Sequence, residues 1–471
     1  MAHVNTLTWK SVLSWALAAG MMMASPALAQ ECPPDGWIPT WSDEFSGTTL
    51  DTTKWRAENA ALVKNNEQQY YHPSMVTLAN GKMTIKSVNV PMGGRPYTSG
   101  LVETIDRFSQ KFGRFEMRAK LPKTKGIWPA FWMLPQEKKW PPEIDIMELL
   151  GHQPYKVYMH HHWGTWPNVQ SEGGFYIGPD FSQDFHTFRA DWYADRIEYY
   201  VDDVMYVRHV SNIPAEPFYI IINTAVGGDW PGNPDGTTVF PQEFVVDWVR
   251  AYQYDAGRQK LNNPSFEATP ALANWGKWGN AFTQGGVAYS GTQSAKLYGN
   301  FSGGPNTSGI YQDIPAVAGQ RVRAFSNWYN WSSDFMRGAN TCDMKIEWRG
   351  AGDTLISTQT IQTLTATSPQ NTHMPFELRG TAPAGTTKAR LVFTFNQPAN
   401  ASGAAFIDTV EFGYIDACIA DFDRSGFVDT VDYDRYVQAF EAGFECADVD
   451  ASGFVDTDDF DTFVQAFEAG C

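Results

Sequence analysis

The stretch Pro142-Glu143-Ile144-Asp145-Ile146-Met147-Glu148-Leu149-Leu150-Gly151 carries most of what this chain discloses about its fold. In an extended strand Glu143 and Asp145 share one face while Ile144 and Ile146 bury on the other, and Glu148 falls out of phase. One β-bulge at or near Met147 restores it, so that three carboxylates line one side. Pro141-Pro142 followed by acids suits the first turn of a helix equally well, and for so short a run pattern alone leaves strand and helix level. A strand also carries a geometric tension, because four steps of about 3.3 Å set the outer two carboxylates' Cα atoms ~13 Å apart. Like charges held together raise each other's pKa, and such a trio is seldom kept without a use.

The surroundings favour strands. Lys82-Met83-Thr84-Ile85-Lys86 and Arg114-Phe115-Glu116-Met117-Arg118 alternate with a period of two, between Gly and Pro turns. Aromatic residues reach 14% of the 471, with 18 Trp and 40 Gly, a mix that favours strands, tight turns and sugar-stacking surfaces over helical bundles. The expected class is mainly β, in several domains. A net charge of −17 argues against a nucleic-acid partner. Lys10, the apolar run from Val12 to Met23 and Ala27-Leu28-Ala29 have the layout of a secretory signal peptide over residues 1–29. No later segment is long and apolar enough for a membrane span, so an exported protein is expected, in which disulfides among Cys32, Cys342, Cys418, Cys446 and Cys471 are permitted.

Three textures follow one another. Residues 32–255 are dense in aromatics, 256–260 read as a linker, and 261–415 have fewer charges, more Ser, Thr, Asn and Gly, and strand-like runs such as Ala389-Arg390-Leu391-Val392-Phe393-Thr394-Phe395, the look of a second β-sandwich. Residues 416–471 hold 12 Asp and 3 Glu against Arg424 and Arg435, which is −13 of the net charge. Within them Asp421-Phe422-Asp423-Arg424-Ser425-Gly426-Phe427-Val428-Asp429 recurs 27 residues on as Asp448-Val449-Asp450-Ala451-Ser452-Gly453-Phe454-Val455-Asp456, each copy followed by an apolar helical stretch. In each, side-chain oxygens fall at loop positions 1, 3, 5, 9 and 12, with Gly at 6 and a backbone carbonyl at 7. The calcium ligands expected are Asp421, Asp423, Ser425, Phe427, Asp429 and Asp432, then Asp448, Asp450, Ser452, Phe454, Asp456 and Asp459.

Glu143-Ile144-Asp145-Ile146-Met147-Glu148 resembles the bulged E-x-D-x-x-E signature of glycoside hydrolase family 16. Residues 65–71, 113–120, 126–134 and 223–235 resemble the laminarinase-like endo-β-1,3-glucanases of that family, in the same order. The resemblance implies a β-jelly-roll with a cleft on its concave sheet, Glu143 as nucleophile, Glu148 as general acid/base, and Asp145 holding the nucleophile's hydrogen bonding and charge. It implies retention of configuration, and a β-glucan such as laminarin as substrate, with mixed-linkage β-glucan, a galactan or a transglycosylation acceptor as variants and a silent glycan-binding or scaffold protein as the rival of another class.

Asn66, Trp128, Trp132, His162 and Trp230 are the expected substrate contacts, the Trp residues as platforms for pyranose faces. In His160-His161-His162 alternation sends the middle ring opposite to its neighbours, which argues against a three-histidine metal site. Leu101 stands where many laminarinase-like members have Arg, so a fork-like hydroxyl contact is missing at one subsite. Residues 261–415, which include Trp275 and Trp278, are similar to jelly-roll carbohydrate-binding modules, with Trp328, Tyr329 and Trp331 as the expected binding face and a structural spacer as the competing role. Asp at loop position 12 and the paired loop–helix units resemble dockerin-like modules, which implies a protein partner for the acidic C-terminal segment.

Overall fold

The computed structural model describes residues 36–469, apart from 63, 256–258, 416–418, 423–427, 429 and 450–453. The signal-peptide stretch, Cys32, Cys418 and Cys471, most of the linker, and the expected ligands Asp423, Ser425, Phe427, Asp429, Asp450 and Ser452 lie outside the described residues. Among the described residues no helix is long and apolar enough to cross a membrane.

Two antiparallel sheets form the first sandwich. One has the order Val204–His209, Ile197–Val201, His186–Trp192, Gly113–Lys120, Gln242–Tyr254, Lys82–Ser87, Val76–Ala79, with Trp37–Asp43 also paired to Gln242–Tyr254. The other runs Asn168–Ile177, Lys156–Thr165, Glu143–Leu149, Ile127–Pro135, Phe218–Val226, Leu101–Glu103, Arg56–Ala57. Between them lies a core of alternating inward residues, among them Phe115, Met117, Phe131, Met133, Ile144, Ile146, Ile220 and Ile222. Trp192 closes the core against Phe112 and Phe218, edge to face.

The second sandwich is two five-stranded sheets. One carries Asn306–Pro315, Lys388–Gln397 and Thr341–Arg349 at its centre, the other Gln293–Tyr298, Ala404–Tyr414 and Arg321–Tyr329. Trp328 corrects an expectation: it is fully buried and its indole donates to Ser326 Oγ at 2.7 Å, so alternation along its strand makes it core and not a binding face. Trp275 is likewise core. Cys342, a free thiol, is sealed in the same core beside Met336. Gln259 and Lys260 already hydrogen-bond to Val410 and Phe412, so the end of the expected linker is fastened to this sandwich.

Two helices, Thr430–Ala442 and Thr457–Ala469, pack through Tyr436 and Phe463, whose rings stack with centroids 3.8 Å apart. These two residues are separated by the 27-residue period, so equivalent positions of the repeat meet each other. Cys446 beside them is disulfide-bonded.

Candidate active site

Glu143–Leu149 is a strand, and its two neighbours locate the bulge. Against Ile127–Pro135, Asp145 faces Trp132 but Met147 faces Phe131. Against Lys156–Thr165, Asp145 faces His160 but Glu148 faces Tyr158. One extra residue therefore sits between Asp145 and Met147, and it returns Glu148 to the face that Glu143 and Asp145 occupy. Rows of side chains then run across this face of the sheet: Glu143 beside His162, then His160, Asp145, Trp132, Ile221 and Glu103, then Tyr158, Glu148, Ala130, Asn223 and Leu101.

Donors hold each carboxylate. Trp140 Nε1 donates to Glu143 Oε2 at 2.9 Å, and Trp128 Nε1 to Glu148 Oε1 at 3.1 Å. His160 Nδ1 lies 3.3 Å from Glu148 Oε2, and His162 Nε2 lies 3.2 Å from Asp145 Oδ2 and 3.9 Å from Glu143 Oε1. Asp145 closes the sequence's geometric tension, because donor atoms of Glu143 and His162 on one side, and of Glu148 and His160 on the other, come within 4.8 Å of its own. Burial, chiefly, and then the neighbouring carboxylates raise the pKa of Asp145. Burial likewise raises that of Glu143, opposed by Lys64 and aided by Glu148. A proton shared between Glu143 and Asp145 is the result, with Asp145 placed to donate to Glu143. Burial depresses the pKa of His162, which keeps that ring neutral.

The predicted contacts are brought together unequally. Trp230 is 39% exposed and packs edge-on against Tyr158, Trp128 and His160, forming one aromatic wall beside Glu148. Asn66 contributes at one remove: its amide donates to Asp229 at 2.8 Å and steadies the loop that presents Trp230. Trp132 is only 8% exposed, with its indole tied to Asn223 at 2.8 Å and Lys64 over its ring, so it offers little open platform. On the Glu143 side stand residues the sequence reading passed over, Trp140 at 43% and Trp166 at 71% exposure, their rings 5.8 Å apart. Their indoles sit outside any strand alternation, and only their adjacency to Pro141-Pro142 and Pro167 marked them as loop residues free to present a ring. Leu101 is buried in a small apolar cluster with Tyr71, Trp132 and Tyr219 beneath the cleft.

This constellation offers one carboxyl, Glu148, to protonate a leaving oxygen and a second, Glu143, to attack the carbon from the face opposite that oxygen, with exposed aromatic rings on either side of the pair. Residues 57–250 match the family described as glycosyl hydrolases family 16. Among similar curated proteins are glucan endo-1,3-beta-glucosidase A1 of Niallia circulans, 37% identical over 255 residues (45% of this chain, 37% of that protein), and the beta-glucanase of Rhodothermus marinus, 34% identical over 245 residues (46% and 86%). The glucan endo-1,3-beta-glucosidase of Cryptopygus antarcticus is 35% identical over 254 residues (45% and 92%). A similar solved structure is the catalytic domain of an endo-1,3-beta-glucanase (laminarinase) from Thermotoga petrophila RKU-1, 37% identical, covering 47% of this chain and 99% of that one, with a TM-score of 0.44. The family match ends before the second sandwich and the helix pair.

Proposed function

This chain belongs to glycosyl hydrolase family 16, and from that premise we propose that it is an endo-β-1,3-glucanase that cleaves laminarin-like β-glucan with retention. The observation that carries the reading is the bulge between Asp145 and Met147, which gathers three carboxylates on the cleft face beside two aromatic walls. Glu143 attacks the anomeric carbon while Glu148 protonates the leaving oxygen, and a glycosyl ester forms on Glu143. Water then attacks that carbon as Glu148 takes its proton, and the Glu143 carboxylate leaves. Asp145 donates to Glu143 and so positions it, and its proton keeps the pair from carrying two adjacent charges before substrate arrives.

Endo action agrees with a cleft walled by Trp140 and Trp166 at one end and Trp230 and Tyr158 at the other, with the carboxylates between. Leu101, apolar and buried, supplies no guanidinium contact to a sugar hydroxyl, which keeps mixed-linkage chains as a second substrate, in line with relatives named endo-1,3-1,4-beta-glycanases at 33% identity. For the rest of the chain, the second sandwich is read as an accessory glycan-binding unit, and the C-terminal repeat as a calcium-dependent module that docks to another protein. Asp421, Asp432, Asp448, Asp456 and Asp459 remain the proposed ligands among the described residues, with the Phe454 carbonyl.

Reducing-sugar release from laminarin and from mixed-linkage glucan, by the wild type and by Glu143→Gln and Glu148→Gln, tests the reading. Release from laminarin that falls by about 10²–10⁴ in Glu148→Gln and vanishes in Glu143→Gln is expected, with the β-anomer appearing first by proton NMR. Equal binding with no release by the wild type would instead make the protein a glycan binder.

A further inference from the structure

We propose that His161, Glu172 and His209 form a buried site for a divalent transition metal of the zinc class, on the side of the catalytic sheet turned away from the cleft. His160 and His162 reach the carboxylates, while His161, between them, points the other way and is fully buried. Glu172 is its cross-strand partner in the ladder and so shares its face. His209 arrives from the opposite sheet, as the last residue of Val204–His209, and is buried too. One donor atom of each residue lies within 4.8 Å of those of the other two.

The hydrogen bonds leave this cluster incomplete. His161 Nε2 lies 2.8 Å from the carbonyl of Ser211, which can only accept, so the proton is on Nε2 and Nδ1 carries a lone pair. In the metal-free cluster that lone pair accepts from His209 Nδ1–H at 3.0 Å, which leaves a lone pair on His209 Nε2. His209 Nε2 and Glu172 Oε2 are both shut off from solvent without any hydrogen-bond partner, a costly state for two polar atoms in one place. A cation draws on these donors together. Two imidazoles and one carboxylate suit zinc, cobalt or nickel better than calcium or magnesium, which prefer oxygen alone. Ser211 then serves as the outer partner that fixes the His161 ring, and Tyr199, edge-on to His209 at 5.0 Å, packs the other.

The position gives such a metal a purpose. Asn168–Ile177 and Val204–His209 are edge strands, one from each sheet. A metal between them fastens the two sheets along an open edge, immediately behind the strand whose other face presents His160 and His162 to the carboxylates. The metal would thus be structural and would set the stiffness of the cleft floor.

The full chain, stripped with chelator and then held in saturating calcium to occupy the C-terminal loops, is titrated with zinc and, as a coloured substitute, cobalt. One tight equivalent is expected, giving the visible absorption of four-coordinate cobalt and raising the unfolding temperature. Affinity should fall at least tenfold in both His209→Gln and the near-isosteric Glu172→Gln, while each variant keeps its glucanase activity at saturating zinc as proof of folding. No retained zinc in the wild type would overturn the proposal and leave a water-filled cluster. Zinc retained equally by both variants would overturn it as well, since the ion would then sit on the catalytic carboxylates.

Discussion

Glu143 and Asp145 hold their protons to higher pH than ordinary carboxylates because burial, first, and like charge, second, disfavour the ionised forms. For a carboxylate raised in this way the folded protein binds protons more readily than the unfolded chain, so its contribution favours folding at low pH and is lost as pH rises from the unfolded value near 4 through the raised folded value. Glu143→Gln removes that dependence. Its unfolding free energy is expected to gain on the wild type as pH climbs from about 4 to about 8, with a slope no steeper than about 1.4 kcal/mol per pH unit. Urea unfolding of both proteins across that range checks this, and curves that stay parallel would contradict it. Activity moves in the opposite sense, because a protonated Glu143 cannot attack: kcat/KM should fall on the acid side as the pair, which already shares one proton, takes up a second on Glu143. The trio's residue types were legible in the sequence, whereas Lys64, which reaches over Trp132 and opposes the Glu143 shift, was not, since nothing local to it marks a catalytic partner.

At the level of elements the bulge could be read before any coordinates, because Glu148 breaks a period-two pattern that Ile144 and Ile146 otherwise keep. The choice of strand over helix could not, and tertiary context decided it: both flanks of Glu143–Leu149 are occupied by hydrogen-bonded strands. What escaped reading lies in loops and across ladders. Gly173 is an example. It pairs with His160, and a Cβ built there would come within 2.1 Å of the His160 ring. The missing side chain is thus the space into which His160 settles to meet Glu148. Gly173→Ala is expected to displace the ring and cut kcat by roughly tenfold or more, within the range of lost acid–base assistance, while the melting temperature changes little at this edge strand. Normal kcat in that variant would remove His160 from the role.

Over the whole molecule, two sandwiches and a helix pair each bury a core of their own. Contacts between the sandwiches were invisible to periodicity. Tyr289 of the second leans on the first, with its hydroxyl 3.6 Å from Met205 Sδ and the Arg208 guanidinium 4.3 Å over its ring. Trp328 shows the limit of reading aromatics as binding residues, since only its place in the alternation of Arg321–Tyr329 separates core from surface. If the acidic repeat binds calcium as proposed, calcium is expected to raise the unfolding transition of the helix pair, and EDTA to lower it, with laminarin hydrolysis unchanged. Far-UV circular dichroism with and without the chelator measures this, and insensitivity to calcium would exclude the proposed ligands.

The sealed thiol of Cys342 turns the second sandwich into its own clock. A sulfhydryl with no exposure beside Met336 is beyond the reach of an alkylating reagent until the surrounding strands part. The rate at which iodoacetamide marks Cys342, resolved by peptide mass spectrometry, therefore counts openings of that unit, and activity followed in parallel reports on the first sandwich. Marking as fast as hydrolytic activity decays would mean the two sandwiches open as one, and marking that runs ahead of it would mean the accessory unit breathes independently of the enzyme it accompanies.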